Sequence, residues 1–220
     1  AELIRLARPV ETHRNFMGLY QRFVLPRLID AALSNKEVTA RRAELIPKAS
    51  GIVLEIGIGS GLNLPFYPSS ITHLFGVDSS PELLSMVHRK LNALTYPVEL
   101  LCRSAEELML DDRSFDTVVL TWTLCSIQHP LRALAEIKRV LKPDGRLLFI
   151  EHGLSPDPKV QEWQHRLTPI WKRIGGGCHL NRKIDNLIGP AGFALVELQT
   201  SYLPGPRPMT FTYQGIASPT

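Results

Sequence analysis

No stretch of this sequence approaches the ~20 continuous apolar residues that a helical membrane span needs, so no integral span is expected. Like charges never run to five in a row, and 25 basic against 21 acidic residues leave a formal net charge of +4. That balance is too weak for a nucleic-acid binder, although a pI near 9.1 leaves room for an anionic partner. Cysteine is scarce: Cys102, Cys125 and Cys178 are odd in number and form no CxxC pair. This argues against a disulfide framework and for a reduced, cytoplasmic setting. There is no HxxxH, no paired cysteine and no grouped carboxylates, so no metal is expected. The opening AELIRLARPV is too short and too interrupted by arginine to read as a signal peptide. No repeat, low-complexity tract or linker divides the chain, which points to a soluble protein with one core.

The 220 residues are 44% hydrophobic, enough for a sizeable buried core. From about Thr12 to Lys48 the apolar residues recur at helical spacing, with Pro26 expected to kink or break the segment. Buried strands are then expected at 51–57, 73–78, 97–102, 115–123 and 146–152, because these are short apolar, β-branched runs. Between them, 81–94 and 130–142 read as helices, the first with Ser80 as N-cap and Pro81 at its first position. Residues 157–174 and 182–192 are further expected helices. The runs 193–202 and 209–217, separated by LPGPRP, read as an antiparallel pair at the end of the sheet. The sum is an α/β domain whose mostly parallel sheet binds ligand beyond the carboxyl ends of its strands.

The stretch VLEIGIGSGLN ends the first strand, with Gly57, Gly59 and Gly61 at alternate positions. Such a turn lets the backbone approach a ligand closely. Asp78, last in the second strand, is placed to accept hydrogen bonds from the 2′ and 3′ hydroxyls of a ribose. NAD and S-adenosylmethionine both contain one. The dinucleotide fingerprint wants a third glycine where Leu62 stands, and the Glu55 carboxylate would repel phosphate. The same carboxylate suits a cofactor with an ammonium group, which favours S-adenosylmethionine.

VLEIGIGSG, GVDSSPELLSM, SAEELMLDDRSFDTVV and EIKRVLKPDGRLLFIEHG resemble consecutive motifs of the class I S-adenosylmethionine-dependent methyltransferases, over residues 50–153. Within that family the pattern is similar to the ubiquinone/menaquinone-biosynthesis group. TWTLCSI, EHG and GGCHLNR look closer still to the small-thiol S-methyltransferases. The resemblance implies a Rossmann-like, single-domain fold with a seven-stranded sheet of order 3-2-1-4-5-7-6, its seventh strand antiparallel. It also implies that Gly57, Gly59 and Gly61 line the methionine and ribose part, that Glu55 organises the loop, and that Asp78 holds the ribose. Ser79, Ala105 and Glu106 would lie at the adenine, and the Thr121 carbonyl would meet the ammonium. Relatives often carry Asp where Ser104 stands, which weakens the expected adenine contact there.

Residues 1–48 are expected to form a helical lid over a core of 49–220, because methyl transfer needs water excluded. Phe16, Tyr20, Trp122, Trp163 and Trp171 are candidate walls of an apolar chamber, with Cys125 beside it. The tryptophans and Cys125 have an equally plain reading as core. His179 and His152 are candidate bases for a small thiol or sulfide, which needs only modest activation. Methylation of a quinone precursor or a phospholipid amine, and nucleoside-cofactor binding without catalysis, are the alternatives.

Overall fold

In the computed structural model, residues 16–220 are described, with the side chains of Phe16, Met17, Gln21 and Arg22 excepted. The chain opens with α1 (Phe16–Leu19) and a π-helical turn, Tyr20–Val24, then α2 (Leu25–Leu33) and α3 (Lys36–Leu45). Pro26 does not kink a continuous helix. It sits in the first turn of α2, where its missing N–H leaves no bond unmade, and the wide turn precedes it. Asn35 caps α3 by accepting from the Val38 N–H at 2.9 Å.

The seven strands are β1 (Gly51–Ile56), β2 (Ile71–Asp78), β3 (Val98–Cys102), β4 (Phe115–Thr121), β5 (Leu141–His152), β6 (Phe193–Tyr202) and β7 (Phe211–Pro219). They form one sheet of order β3-β2-β1-β4-β5-β7-β6, as the resemblance implies. The first five are parallel, and β7 runs antiparallel to both β5 and β6. Alternate residues of the strands serve two cores. Leu54, Ile56, Val118 and Leu120 face one, shared with Leu134 and Ile137 of α5 (Pro130–Val140). Val53, Val119, Leu148 and Ile150 face the other, shared with Leu84 and Val87 of α4 (Pro81–His88). This double burial explains the unbroken apolar runs in the sequence.

Three expected elements differ in extent. The helix starting at Pro81 stops at His88, and Leu91 and Leu94 reach the core through a 3-10 turn, Leu91–Ala93. β5 starts at Leu141, opposite Phe115; the pairing slips across Pro143–Asp144–Gly145 and resumes with Arg146 opposite Thr117. Of the expected helix 182–192 only α7 (Asp185–Ile188) forms. Arg182 is drawn instead to the carbonyls of Leu124 and Ile127, and Pro190 blocks continuation beyond Gly189. α6 (Pro158–Ile174), capped by Asp157, and α8 (Arg207–Thr210) complete the element order.

Candidate functional site

A cavity of 470 Å³ opens beyond the carboxyl ends of β1, β2 and β4. One end is the glycine loop. The N–H groups of Gly57 and Ile58 donate to the Val77 carbonyl at 2.7 and 3.1 Å, folding the loop over β2. Gly57 has φ +72°, and a Cβ there would lie 2.1 Å from the Thr123 hydroxyl oxygen. Gly59 has φ +56°, yet a Cβ would meet nothing nearer than 3.9 Å. Its missing side chain therefore leaves open space on the cavity side. Gly61 does not line the cavity: a Cβ there would press on Leu64 and Val87. The turn, and not the ligand, requires that glycine.

Asp78 stands at the cavity edge with both carboxylate oxygens oriented by the backbone. Oδ2 accepts from Gly59 N–H at 2.9 Å and Oδ1 from Ser80 N–H at 2.8 Å. Burial raises its pKa, against the lowering effect of these bonds. A third backbone N–H, from Ser79, also reaches the carboxylate, which still keeps acceptor capacity for a ligand hydroxyl. Ser79, Ser104, Ala105 and Glu106 line the same end. The Glu106 carboxylate also accepts from the His129 N–H at 3.0 Å, tying the loops after β3 and β4 together.

Glu55 is 1% exposed beneath the loop. Asn63 Nδ2 donates to its Oε1 and the Tyr67 hydroxyl to its Oε2, both at 2.8 Å. Burial pushes its pKa up to about 7, opposed by these bonds and by Arg42. Asn63 also donates to the Thr121 hydroxyl at 2.9 Å and accepts from Arg42 Nε at 2.9 Å. The Arg42 guanidinium lies 4.8 Å from the Trp122 ring centre. Loop, α3 and β4 are thus joined through one buried network, which the sequence reading missed because Arg42 carries no signal on a polar helix. The Thr121 carbonyl, at the cavity, accepts from the Thr123 hydroxyl at 3.1 Å.

The other end of the cavity is formed by Trp122, Thr123, Ser126 and Ile127 after β4, with Gly176 after α6. Trp122 adopts φ +52°, a left-handed conformation rare for a bulky residue. The loop behind it is held by Glu151, which is fully buried. Its carboxylate accepts from the N–H groups of Thr123 and Leu124 at 2.9 Å and of Cys125 at 3.2 Å. Burial raises this pKa to about 7 against those three bonds. The signal for Glu151 was present: like Glu55, it is an acidic residue that follows an apolar run near the carboxyl end of its strand.

Helix α2 covers the cavity. Leu25, Pro26, Ile29, Asp30 and Leu33 line it, and Asp30 accepts from the Ser60 hydroxyl. A Cβ on Gly176 would meet Leu25 at 3.4 Å and Ile29 at 3.5 Å, so this helix and the loop after α6 touch.

The expected aromatic chamber is brought together only at Trp122. Trp163 is 55% exposed, with Arg166 over its ring at 5.8 Å. Eight positions along a helix rotate by about 80°, so Trp163 and Trp171 do not share one face. Trp171 packs behind the wall, against Gly175 and Cys178. Tyr20 donates its hydroxyl to the Ile174 carbonyl at 2.8 Å and does not line the cavity. The Phe16 side chain lies outside the described residues. Cys125 is 2% exposed and sits behind the wall. His179 is not in the lining either: its Nδ1 lies 3.3 Å from the Cys125 carbonyl and 3.3 Å from an Arg182 nitrogen. His152 is buried at the end of β5, with Nε2 3.4 Å from the Pro208 carbonyl. Among the described residues no cluster of His, Cys, Asp or Glu is suited to a metal ion, and no helix is long and apolar enough to cross a membrane.

A methyltransferase-domain family model matches residues 54–149. Thiol S-methyltransferase TMT1B of Rattus norvegicus is 34% identical over 180 residues, covering 76% of this chain and 73% of the relative. Phosphatidylethanolamine N-methyltransferase of Cereibacter sphaeroides is 34% identical over 167 residues, 75% of this chain and 80% of the relative. A solved SAM-dependent methyltransferase from Methanosarcina mazei superposes with a TM-score of 0.63 at 21% identity, over 78% of this chain and 93% of that one.

Proposed function

This chain belongs to the class I S-adenosylmethionine-dependent methyltransferases, and we propose that its acceptor is the sulfur of a small thiol or of sulfide. Its cofactor is S-adenosylmethionine, which supplies an electrophilic methyl group on a sulfonium sulfur. The residues present suit that molecule: an open cradle at Gly59, a carboxylate free to take a ribose at Asp78, and polar lining at Ser79 and Ser104.

In this reading Asp78 binds the ribose hydroxyls, and Ser79, Ala105 and Glu106 border the adenine. Gly57 and Gly59 let the main chain approach the methionine part, and the Thr121 carbonyl receives the ammonium. Glu55 acts from below by holding Asn63 and Tyr67, and so the loop. The chain's contribution to the chemistry is positioning and exclusion of water, since an in-line displacement at a sulfonium carbon needs little else. Leu25, Pro26 and Ile29 do the excluding, with residues 1–48 acting as the lid of a core spanning 49–220. The Arg182 guanidinium, held on the Leu124 and Ile127 carbonyls behind the far wall, would add positive field that favours a thiolate over a thiol. His179 and His152 are the candidate bases, and each would have to reach the acceptor from outside the cavity lining.

The observation that carries the thiol reading is the apolar far end, Trp122 and Ile127 under Leu25 and Ile29, in a chain similar to a thiol S-methyltransferase over three quarters of its length. N-methylation of an amine is the second reading, favoured by the similarity to the phosphatidylethanolamine enzyme. A panel of thiols, phenols, quinone precursors and amines with labelled cofactor separates them. Thiols should drive S-adenosylhomocysteine formation fastest, with kcat/KM rising with pH until the thiol is ionised. Faster methylation of an amine or a ring substrate would overturn the acceptor and leave the cofactor standing. Absence of turnover with every class would favour a binding protein. Deleting residues 1–30 should abolish turnover and spare part of the cofactor affinity; full activity in that variant would end the lid proposal.

A further inference from the structure

Two of the three cysteines meet across a seam between distant loops. Cys125 lies in the loop after β4 and Cys178 in the glycine-rich loop after α6. The loops are stitched by their backbones. His179 N–H donates to the Cys125 carbonyl at 2.9 Å, and the Arg182 guanidinium donates to the Leu124 carbonyl and, at 2.9 Å, to that of Ile127. A Cβ on Gly177 would lie 3.0 Å from the Ser126 carbonyl oxygen, so no side chain separates the two strands of the seam. Across it the Cys125 and Cys178 side chains are close enough to influence each other, and His152 and the Trp171 indole lie beside Cys178.

The two sulfurs are chemically unequal. The neighbouring Cys125 side chain holds the Cys178 thiol below its ordinary range, helped by His152 and Trp171 against the effect of burial. The nearness of Cys178, burial, and the nearness of Glu151 push the Cys125 thiol up. Cys178 is therefore the more acidic thiol of the two and Cys125 the less acidic. An acidic thiol with a second thiol beside it across a backbone-stitched seam is the arrangement of an oxidation-sensitive site with its own resolving partner. Cys102, exposed at the end of β3, has neither feature: burial and the carboxylates of Asp78 and Glu82 raise its pKa.

We propose that Cys125 and Cys178 form an oxidisable pair that a hydroperoxide converts to a disulfide, pinning the loop after β4 to the loop after α6. The Cys178 thiolate attacks the outer peroxide oxygen, the O–O bond breaks, and the alkoxide or hydroxide leaves and takes up a proton. Cys178 is then a sulfenic acid. The Cys125 sulfur attacks the Cys178 sulfur, the S–O bond breaks, and the oxygen departs as water with the Cys125 proton. Two thiols and one hydroperoxide give one disulfide, one alcohol (water, for hydrogen peroxide) and one water; the two electrons lost by the thiols reduce the peroxide. Thr123, Ser126 and Gly176, which line the cavity, flank the two cysteines, so the cross-link joins the two segments that build that end of the cavity.

The full chain is treated with stoichiometric hydrogen peroxide, alkylated, digested without reduction and weighed by mass spectrometry. The expected product is a linked peptide pair joining residues 125 and 178, lighter by two hydrogens, with one of the three thiols still alkylated and full reversal by dithiothreitol. In Cys125→Ser, Cys178 should stop at the sulfenic acid and be captured by dimedone. Oxidation of Cys102 ahead of the pair, or dimedone capture of Cys178 in the unmodified chain without the linked peptide, would overturn the proposal. So would three thiols that all survive the treatment. None of these readouts depends on methyl transfer.

Discussion

Glu55 and Glu151 end strands on either side of β4, and both are buried carboxyls pushed up to about 7 by burial. They hold different things. Glu55 accepts from two side chains, Asn63 and Tyr67, at the cofactor end. Glu151 accepts from three consecutive backbone N–H groups at the far wall of the cavity. Side chains are free to turn to other partners when their carboxylate is removed; main-chain donors inside a wall are not. The same residue type in similar burial is therefore an adjustable brace in one region and a fixed clamp in the other.

The sharpest way to break this comparison is alanine at each position. Glu151→Ala leaves three donors without partners, each costing about 1–3 kcal/mol, and should lower stability by roughly 4 kcal/mol in urea unfolding. Glu55→Ala should cost less, and an equal or larger loss there would erase the distinction. Next in size is the pH dependence that both carboxyls share. Their folded values near 7 exceed the ordinary 4.5, so the folded chain keeps protons that the unfolded chain has released. Stability from this source is complete below about pH 4.5 and declines as pH rises toward 7, on the order of 3 kcal/mol for each group. Glu55→Gln should flatten part of that decline across a pH series of urea midpoints; an unchanged slope would show that Glu55 does not titrate there.

Asp78→Ala tests the cofactor end directly. It removes the carboxylate that orients the loop and is proposed to hold the ribose, and should weaken S-adenosylhomocysteine binding by ~1–3 kcal/mol in calorimetry. Undiminished affinity would remove Asp78 from the ribose. At the acceptor end, His179→Ala should lower kcat/KM most below the thiol's own pKa, with partial recovery at high pH, and a profile of unaltered shape would exclude it as base. The smallest effect is expected at Ser80, whose hydroxyl accepts from Leu83 N–H at 3.2 Å. Ser80→Ala should cost ~1 kcal/mol of stability while leaving the acceptor wall untouched.

The glycine-loop end of the cavity was legible because its parts are local. Gly57 and Gly59 sit in one turn, Asp78 ends the next strand, and the apolar runs around them admit only a doubly covered sheet. Hydrophobic period, glycine spacing and the Ser80–Pro81 helix start all act over a few residues, so a linear reading captures them. The acceptor end joins segments far apart in the chain. Glu151 reaches the 123–125 backbone only because β4 and β5 pair in register, with Thr121 opposite Ile150. Cys178 meets Cys125 only because α6 returns its C-terminal loop to the same edge, and Trp163 leaves the pocket because its helix rotates it outward. The sequence by itself determined the strands, their two buried faces and the glycine turn after β1, since steric and hydrophobic preferences are written locally. Only the tertiary structure decided which carboxyl clamps the far wall, which aromatic ring enters the cavity and which thiols touch, since those depend on distances between elements that no local spacing encodes.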